Sequence, residues 1–367
     1  MGLLSTLQKP FYNLQQTKGS IVGMKRFFFI IISLLITQCQ TNTPSAPSQV
    51  AEFAIAIHGG AGVISKDIDP ELKRAYEESL AKALQLGHDR LKRGDSALDV
   101  VEAVVRVLED DSLFNAGKGA VYTHTGEHEL DASIMDGATL GCGAVTGVKT
   151  VKNPVSLARL VMEKSNHVFF SGDGAEAFAD LMQVERVDNS YFNTVNRYLQ
   201  LQRALEREKN NPQAGWVQHK TMDTRIAFDE YKMGTVGAVA LDKSGNLAAA
   251  TSTGGMTNKK HGRIGDAPVI GAGNYANNLS AAISATGSGE EFIRNVVARD
   301  IAAYMEYKEA TLKEAAEFVI HKKLKPGDGG IISVDKYGNI ALVFNSEGMF
   351  RGAADSNGRF DVKIWEN

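Results

Sequence analysis

From Glu52 onward, short unbroken apolar runs alternate with longer stretches whose apolar residues fall three and four apart, the patterns of strand and helix. Residues 53–57 predict a strand that ends in a tight glycine turn, His58-Gly59-Gly60-Ala61-Gly62. Between 70 and about 93, Leu72, Ala75, Tyr76, Leu80, Ala83 and Leu84 recur at helical spacing, and Gly94 is a natural stop. Asp95 or Ser96 then caps a second helix through Val100, Val101, Val104, Val105 and Leu108. Two consecutive helices do not come from a simple βαβ repeat, which argues against a doubly wound parallel sheet.

Hairpin patterns dominate the rest. Residues 121–135 carry a Thr125-Gly126 turn between strand-like flanks, and 141–151 form another β stretch before Pro154 opens a helix. Residues 236–251 and 330–345 echo one another, each a strand, an Asp-x-x-Gly-Asn turn (Asp242 to Asn246, Asp335 to Asn339) and a second strand. With helices over 290–307 and 312–321 to cover them, the pattern predicts an α+β fold: a four-layer α-β-β-α sandwich of two stacked, mainly antiparallel sheets.

The first 51 residues read as an address. Lys25 and Arg26 precede the apolar run 27–36, then come Thr37, Gln38 and Cys39, the layout of a signal peptide. The run falls short of the roughly 20 apolar residues a spanning helix needs. Cys39 lies where a bacterial lipoprotein is lipidated, although Gln38 replaces the usual small residue, and ordinary secretion is the simpler alternative. A leader over 1–38, with translation starting at Met24, and a flexible tether over 39–51 rich in Ser, Pro, Thr and Gln are therefore expected. Met1-Gly2-Leu3-Leu4-Ser5-Thr6 also fits the short myristoylation pattern, a weaker signal than the series that begins at Met24.

Composition narrows the function. With 40 Lys and Arg against 43 Asp and Glu, the chain lacks the basic excess of a dedicated nucleic-acid binder, so no nucleic-acid partner is expected. Two cysteines make neither a disulfide framework nor a Cys-rich zinc site. There is no Gly-x-Ser-x-Gly nucleophile elbow and no Walker A string. His124-Thr125-Gly126-Glu127-His128 matches the His-x-x-Glu-His zinc pattern, which needs a helix to bring both imidazoles to one face. The Thr-Gly pair and β-like flanks predict exposed hairpin histidines instead.

What remains is a set of hydroxyls and glycines in the last third. Gly234-Thr235 precedes an apolar strand and follows a charge-rich, weakly periodic segment, 206–232. Cleavage of the Gly234-Thr235 bond would give Thr235 a free α-amine beside its own hydroxyl, so that one residue supplies nucleophile and base. An α-amine titrates at about 7.7–8.0 and is partly neutral near neutral pH. Thr251-Ser252-Thr253-Gly254-Gly255-Met256-Thr257 would return beside Thr235 across an antiparallel pair. Arg263 and Asp266 offer a cation and an anion suited to the two charges of an amino acid, and Thr286-Gly287-Ser288-Gly289 opens a helix that would face an oxyanion. Taken singly, each of these strings is ordinary turn chemistry.

Together they resemble the plant-type L-asparaginase/isoaspartyl peptidase family of N-terminal nucleophile hydrolases. The likeness runs through His58-Gly59-Gly60-Ala61-Gly62, Leu113-Phe114-Asn115-Ala116-Gly117, Glu129-Leu130-Asp131-Ala132, Met233-Gly234-Thr235-Val236-Gly237 and the string around Thr253, then through Gly271-Ala272-Gly273 and Phe344-Asn345-Ser346-Glu347-Gly348-Met349. It implies autocatalytic cleavage between Gly234 and Thr235, giving a first subunit, 52–234, that ends in a flexible linker and a second, 235–367, that bears the nucleophile. Thr235 would be the nucleophile and Thr253 would tune its hydroxyl. Arg263 and Asp266 would hold the substrate's α-carboxylate and α-amine, Thr286 and Gly287 would form the oxyanion hole, Gly289 would line the pocket, and Asn115 would lie near the nucleophile. The resemblance further implies a structural sodium site of backbone carbonyls at Leu108, Glu109, Asp111, Phe114, Ala116 and Lys118, a set that suits a hard cation.

The expected activity is hydrolysis of β-aspartyl amides in isoaspartyl dipeptides and L-asparagine through a covalent β-aspartyl-enzyme, with no cofactor for the chemistry. A glycosylasparaginase on the same scaffold and a non-cleaving binding lipoprotein are the alternatives. A dimer of cleaved heterodimers is expected, exported to the periplasm or held at a membrane only through lipid on Cys39.

Overall fold

The computed structural model describes residues 50–210 and 234–366. Met24, Cys39, the leader and most of the tether lie outside those residues, as does the predicted linker beyond residue 210. Among the described residues no helix is long and apolar enough to cross a membrane.

Twelve described strands form two sheets. The larger is built from β1 (Ala54–Gly62), β2 (Leu130–Asp136), β3 (Cys142–Val148), β4 (Phe169–Ser171), β5 (Val236–Leu241), β6 (Leu247–Thr253), β11 (Gly348–Asp355) and β12 (Phe360–Lys363), in the order β12-β11-β1-β5-β6-β2-β3-β4. The smaller runs β10-β9-β8-β7, from β7 (Asn274–Ala276), β8 (Ala281–Gly287), β9 (Gly329–Asp335) and β10 (Ile340–Phe344). Every pairing is antiparallel except β3 with β4.

Period-two alternation sets the layers. On β1, Ile55 and Ile57 enter the core that packs under helices α1 (Pro70–Arg93), α2 (Ala97–Glu109) and α3 (Pro154–Lys164), while Ala54 and Ala56 enter a core between the sheets with Val239, Ile332 and Val334. A third core joins the smaller sheet to the helices Val297–Lys308 and Leu312–Phe318. The α-β-β-α order follows. Both Asp-x-x-Gly-Asn turns form as read: Asp242 Oδ1 accepts from the backbone of Ser244 and Asn246, and Asp335 Oδ1 from Tyr337 and Asn339.

Several local expectations differ from the structure. The glycine run 58–62 is the end of a continuous β1 with a bulge between His58 and Gly60, because β11 pairs along that whole stretch and supplies hydrogen bonds a tight turn would leave open. The flank 121–123 makes only an isolated bridge, and strand geometry begins at Leu130. The helix expected over 290–307 breaks at Val296 (φ 47°), since Ala298 and Arg299 donate their N–H groups to the carbonyls of Ala272 and Gly271 instead of extending the preceding helix. Residues 206–210, the start of the segment read as weakly periodic, end a helix (Val195–Asn210), which Arg197 anchors from within by donating to the carbonyls of Gly119 and Leu113.

Candidate active site

Thr235 sits where the antiparallel ladder of β5 and β6 ends, one residue before the Val236–Ser252 pair. That register places Thr235 across from Thr253, and its Oγ1 donates to Thr253 Oγ1 at 3.1 Å. Thr253 Oγ1 also accepts from Gly255 N at 3.0 Å. The bond to cut is held firmly on its carbonyl side. Asn115 N donates to Gly234 O at 2.9 Å, while the Asn115 side chain donates to Gly255 O at 2.7 Å and accepts from Val121 N at 2.9 Å. Asn115 is thus the strut between the loop after α2 and both halves of the nucleophile region. Gly234 adopts φ +128°, and a Cβ there would stand 2.4 Å from Asn115 N, so glycine alone permits this approach.

Behind Thr235 lies a buried polar network. His58 Nδ1 donates to Thr235 O at 2.9 Å, and His58 Nε2 accepts from Ser284 Oγ at 2.8 Å, a tautomer fixed by the carbonyl being an acceptor only. Burial depresses the imidazole to about 3, so it stays neutral and acts as a fixed dipole rather than a base. Thr286 Oγ1 accepts from Ala61 N at 3.2 Å.

One cleft brings together Thr235, Thr253, Asn115, Arg263, Asp266, Gly287 and Gly289. Thr286 is almost fully buried and does not itself line that cleft. Asp266 is buried, and its Oδ2 has no hydrogen-bond partner among the described residues. Burial pushes this carboxyl up to about 7, against the pull of the Arg263 charge. Glu290, Ser288 and Met256 also line the cleft and were not singled out from the sequence. Glu290 forms a two-pronged ion pair with Arg263, Nε to Oε1 at 2.9 Å and Nη2 to Oε2 at 2.8 Å. An acidic residue in the first turn of a helix ordinarily reads as a complement to the helix dipole, which hid its contact with Arg263.

The asparaginase family model matches residues 51–364. The chain belongs to the asparaginase family. It is 54% identical to the isoaspartyl peptidase of Salmonella typhimurium, covering 81% of this chain and 93% of that protein. The isoaspartyl peptidase of Escherichia coli is 53% identical over 82% of this chain and 92% of its own. The mouse isoaspartyl peptidase/L-asparaginase is 41% identical over 89% and 96%, respectively. The four-layer sandwich with Thr235 at the head of β5 is accordingly the N-terminal nucleophile hydrolase fold.

The expected sodium loop is the turn that follows α2. A Cβ on Gly117 would lie 2.3 Å from Glu109 O, and one on Gly119 would lie 2.0 Å from Phe114 O and 2.6 Å from Ser112 O, so carbonyl oxygens crowd this turn. The Lys118 ammonium lies 4.0 Å over the Tyr191 ring, and the Glu109 carboxyl accepts from Val155 N. The His124–His128 string behaves as a turn, not a metal site. His124 contacts Asn258, whereas His128 is fully buried between Val121 O and Asn193, contrary to the expectation that both would be exposed. Tyr122, its ring tilted 44° to the His128 ring with centroids 4.1 Å apart, supplies the cover that the polar sequence around it concealed.

Proposed function

We propose that this asparaginase-family chain hydrolyses the β-aspartyl amide bond of isoaspartyl dipeptides and L-asparagine, after cutting itself between Gly234 and Thr235. The observation that carries the reading is the pairing, in one cleft, of a Thr235 hydroxyl bonded to Thr253 with the opposite charges of Arg263 and Asp266. In maturation, Thr235 Oγ1 attacks the Gly234 carbonyl carbon while Asn115 N–H holds the oxygen that becomes negative. The peptide C–N bond then breaks, leaving an ester on Oγ1 and a free amine on Thr235, and water releases the Gly234 carboxylate. In turnover the neutral amine takes the hydroxyl proton as Oγ1 attacks the β-carbonyl and passes it to the departing amine, and a water molecule then frees aspartate. Thr253 polarises the hydroxyl, and Thr286 donates a hydrogen bond to the developing oxyanion. Replacing Thr286 with Val is expected to leave the chain cleaved but slow kcat roughly 10²- to 10³-fold, the usual cost of one oxyanion donor, as read from steady-state rates on Asp-β-Leu. A release assay that offers β-aspartyl dipeptides beside glycosylated asparagine tests the assignment, with the dipeptides expected to react.

The pH profile follows from Asp266. Its pKa is raised, so it is neutral below about 7 and charged above, and only the carboxylate pairs with the substrate ammonium. The kcat/KM should therefore rise with pH through about 7, and more steeply than a single ionisation allows, because the Thr235 amine must also be neutral. A profile flat from pH 5 to 8 would contradict this, those limits being about two units below and one above the Asp266 value.

Sodium bound by the carbonyl-lined turn after α2 would be structural: Leu108, Glu109, Asp111, Phe114, Ala116 and Lys118 would hold it through backbone oxygens and so steady the loop bearing Asn115. The functional unit is a dimer of cleaved heterodimers in this reading. Export, with lipid on Cys39, rests on the charged and apolar series at 25–36 and the tether behind it. Cys39→Ala should move the protein from the membrane fraction to the soluble one, and unchanged fractionation would remove the anchor while leaving the chemistry intact.

A further inference from the structure

Among the described residues the cleft is lined by one cation, Arg263, and two acids, Asp266 and Glu290. The guanidinium pairs with Glu290 through two hydrogen bonds, and no ion pair joins it to Asp266, although Asp266 is only three residues away and its buried Oδ2 has no partner among the described residues. Gly289 makes room for this arrangement: a Cβ there would come within 2.8 Å of Arg263 Nη2. Two bonds to Glu290 consume Nε and one proton of Nη2, so the Nη1 side of the fork is left for a second carboxylate.

We propose that Glu290 is a positioning residue that keeps the two charges of the substrate clamp apart: by holding the Arg263 guanidinium, it prevents Arg263 from collapsing onto Asp266, so that each remains open to its own half of the substrate's amino-acid head. The inference rests on the β-aspartyl hydrolase reading above and adds a residue to it. A lone arginine beside a buried carboxylate would form the pair with that carboxylate, and both subsites would then be filled by each other. Glu290 is the better partner for Arg263 because it is partly exposed and loses less hydration on pairing. The groups bearing on Asp266 are Arg263, which favours its charged form, and Glu290, which opposes it. Arg263 is further influenced by Asp131, and Glu290 by Arg294. After cleavage the Thr235 amine joins the same cleft.

Glu290→Gln keeps the shape but removes the charge and one acceptor. With Arg263 released, Asp266 should become easier to ionise, and the two subsites should block each other. The expected result on Asp-β-Leu is a KM raised roughly tenfold or more, with kcat within about threefold of the parent, consistent with loss of ground-state clamp contacts. The acid limb of kcat/KM should move to lower pH, and Glu290→Asp should restore part of both effects. Cleavage at Thr235, read on a denaturing gel, reports folding. If Glu290→Gln fails to cleave, the same KM and pH readouts on Glu290→Asp decide, with an intermediate shift expected. Parent-like KM and an unmoved limb overturn the proposal, and so does a raised KM with an unmoved limb, which would mean Arg263 is merely loosened. A parent enzyme inactive on Asp-β-Leu would defeat the function reading itself, whereas an active parent with an indistinguishable Glu290→Gln variant defeats only this inference.

Discussion

Thr235→Ala is expected to stay a single chain and to lose hydrolysis by at least roughly 10⁴-fold, because one hydroxyl serves both as the attacker of the Gly234 carbonyl and as the nucleophile of turnover. The fold should survive: Thr235 is half-buried, and among the described residues its hydroxyl bonds to Thr253. Thr235→Ser keeps the oxygen and should cleave and work, more slowly. Since Asn115 N–H and the Gly234 conformation are untouched in either variant, the comparison isolates the hydroxyl. Efficient self-cleavage of the alanine variant, seen as two bands on a denaturing gel, would remove Thr235 from its assigned role.

The second large effect concerns linkage. A β-aspartyl substrate presents a free α-carboxylate and α-ammonium, matching Arg263 and Asp266, whereas an α-linked aspartyl peptide has that carboxylate tied up as an amide. Without any other partner, an unmatched Arg263 would be a bare charge in the pocket. The ion pair with Glu290 changes that estimate: Arg263 has a partner even without substrate, so the penalty is loss of the bonds made to the carboxylate rather than an uncompensated charge. At about 1.5–3 kcal/mol per charge-assisted bond, discrimination should still reach roughly 10- to 150-fold in kcat/KM for each bond lost. Arg263→Lys keeps a cation but cannot serve Glu290 and a substrate with one rigid fork, so it should lower kcat/KM on Asp-β-Leu without preventing cleavage at Thr235. Equal rates on Asp-β-Leu and Asp-α-Leu in the parent would show that the clamp does not choose the linkage.

The legible parts of this chain were those in which local chemistry and global fold agree. The Asp242 and Asp335 turns announce themselves because one side chain satisfies the turn's own backbone, and the antiparallel register then brings Thr253 back to Thr235 without further information. Less legible were features decided by distant partners. β11 turns the glycine run after His58 into strand, the turn at 271–272 breaks the helix at Val296, and the loop carbonyls that receive Arg197 stabilise the helix Val195–Asn210, whose sequence is too polar to advertise a buried face. Glu290 belongs to the same class, since its role depends on where Arg263 points.

The most direct test of the account is the intact mass of the purified protein, denatured in acid during turnover of a slowly hydrolysed β-aspartyl substrate. The expected product is a fragment that begins at Thr235, part of it heavier by one aspartyl group attached at Thr235. A chain still joined across Gly234 and Thr235 that nevertheless releases aspartate, or an aspartyl group on any other residue, would contradict it.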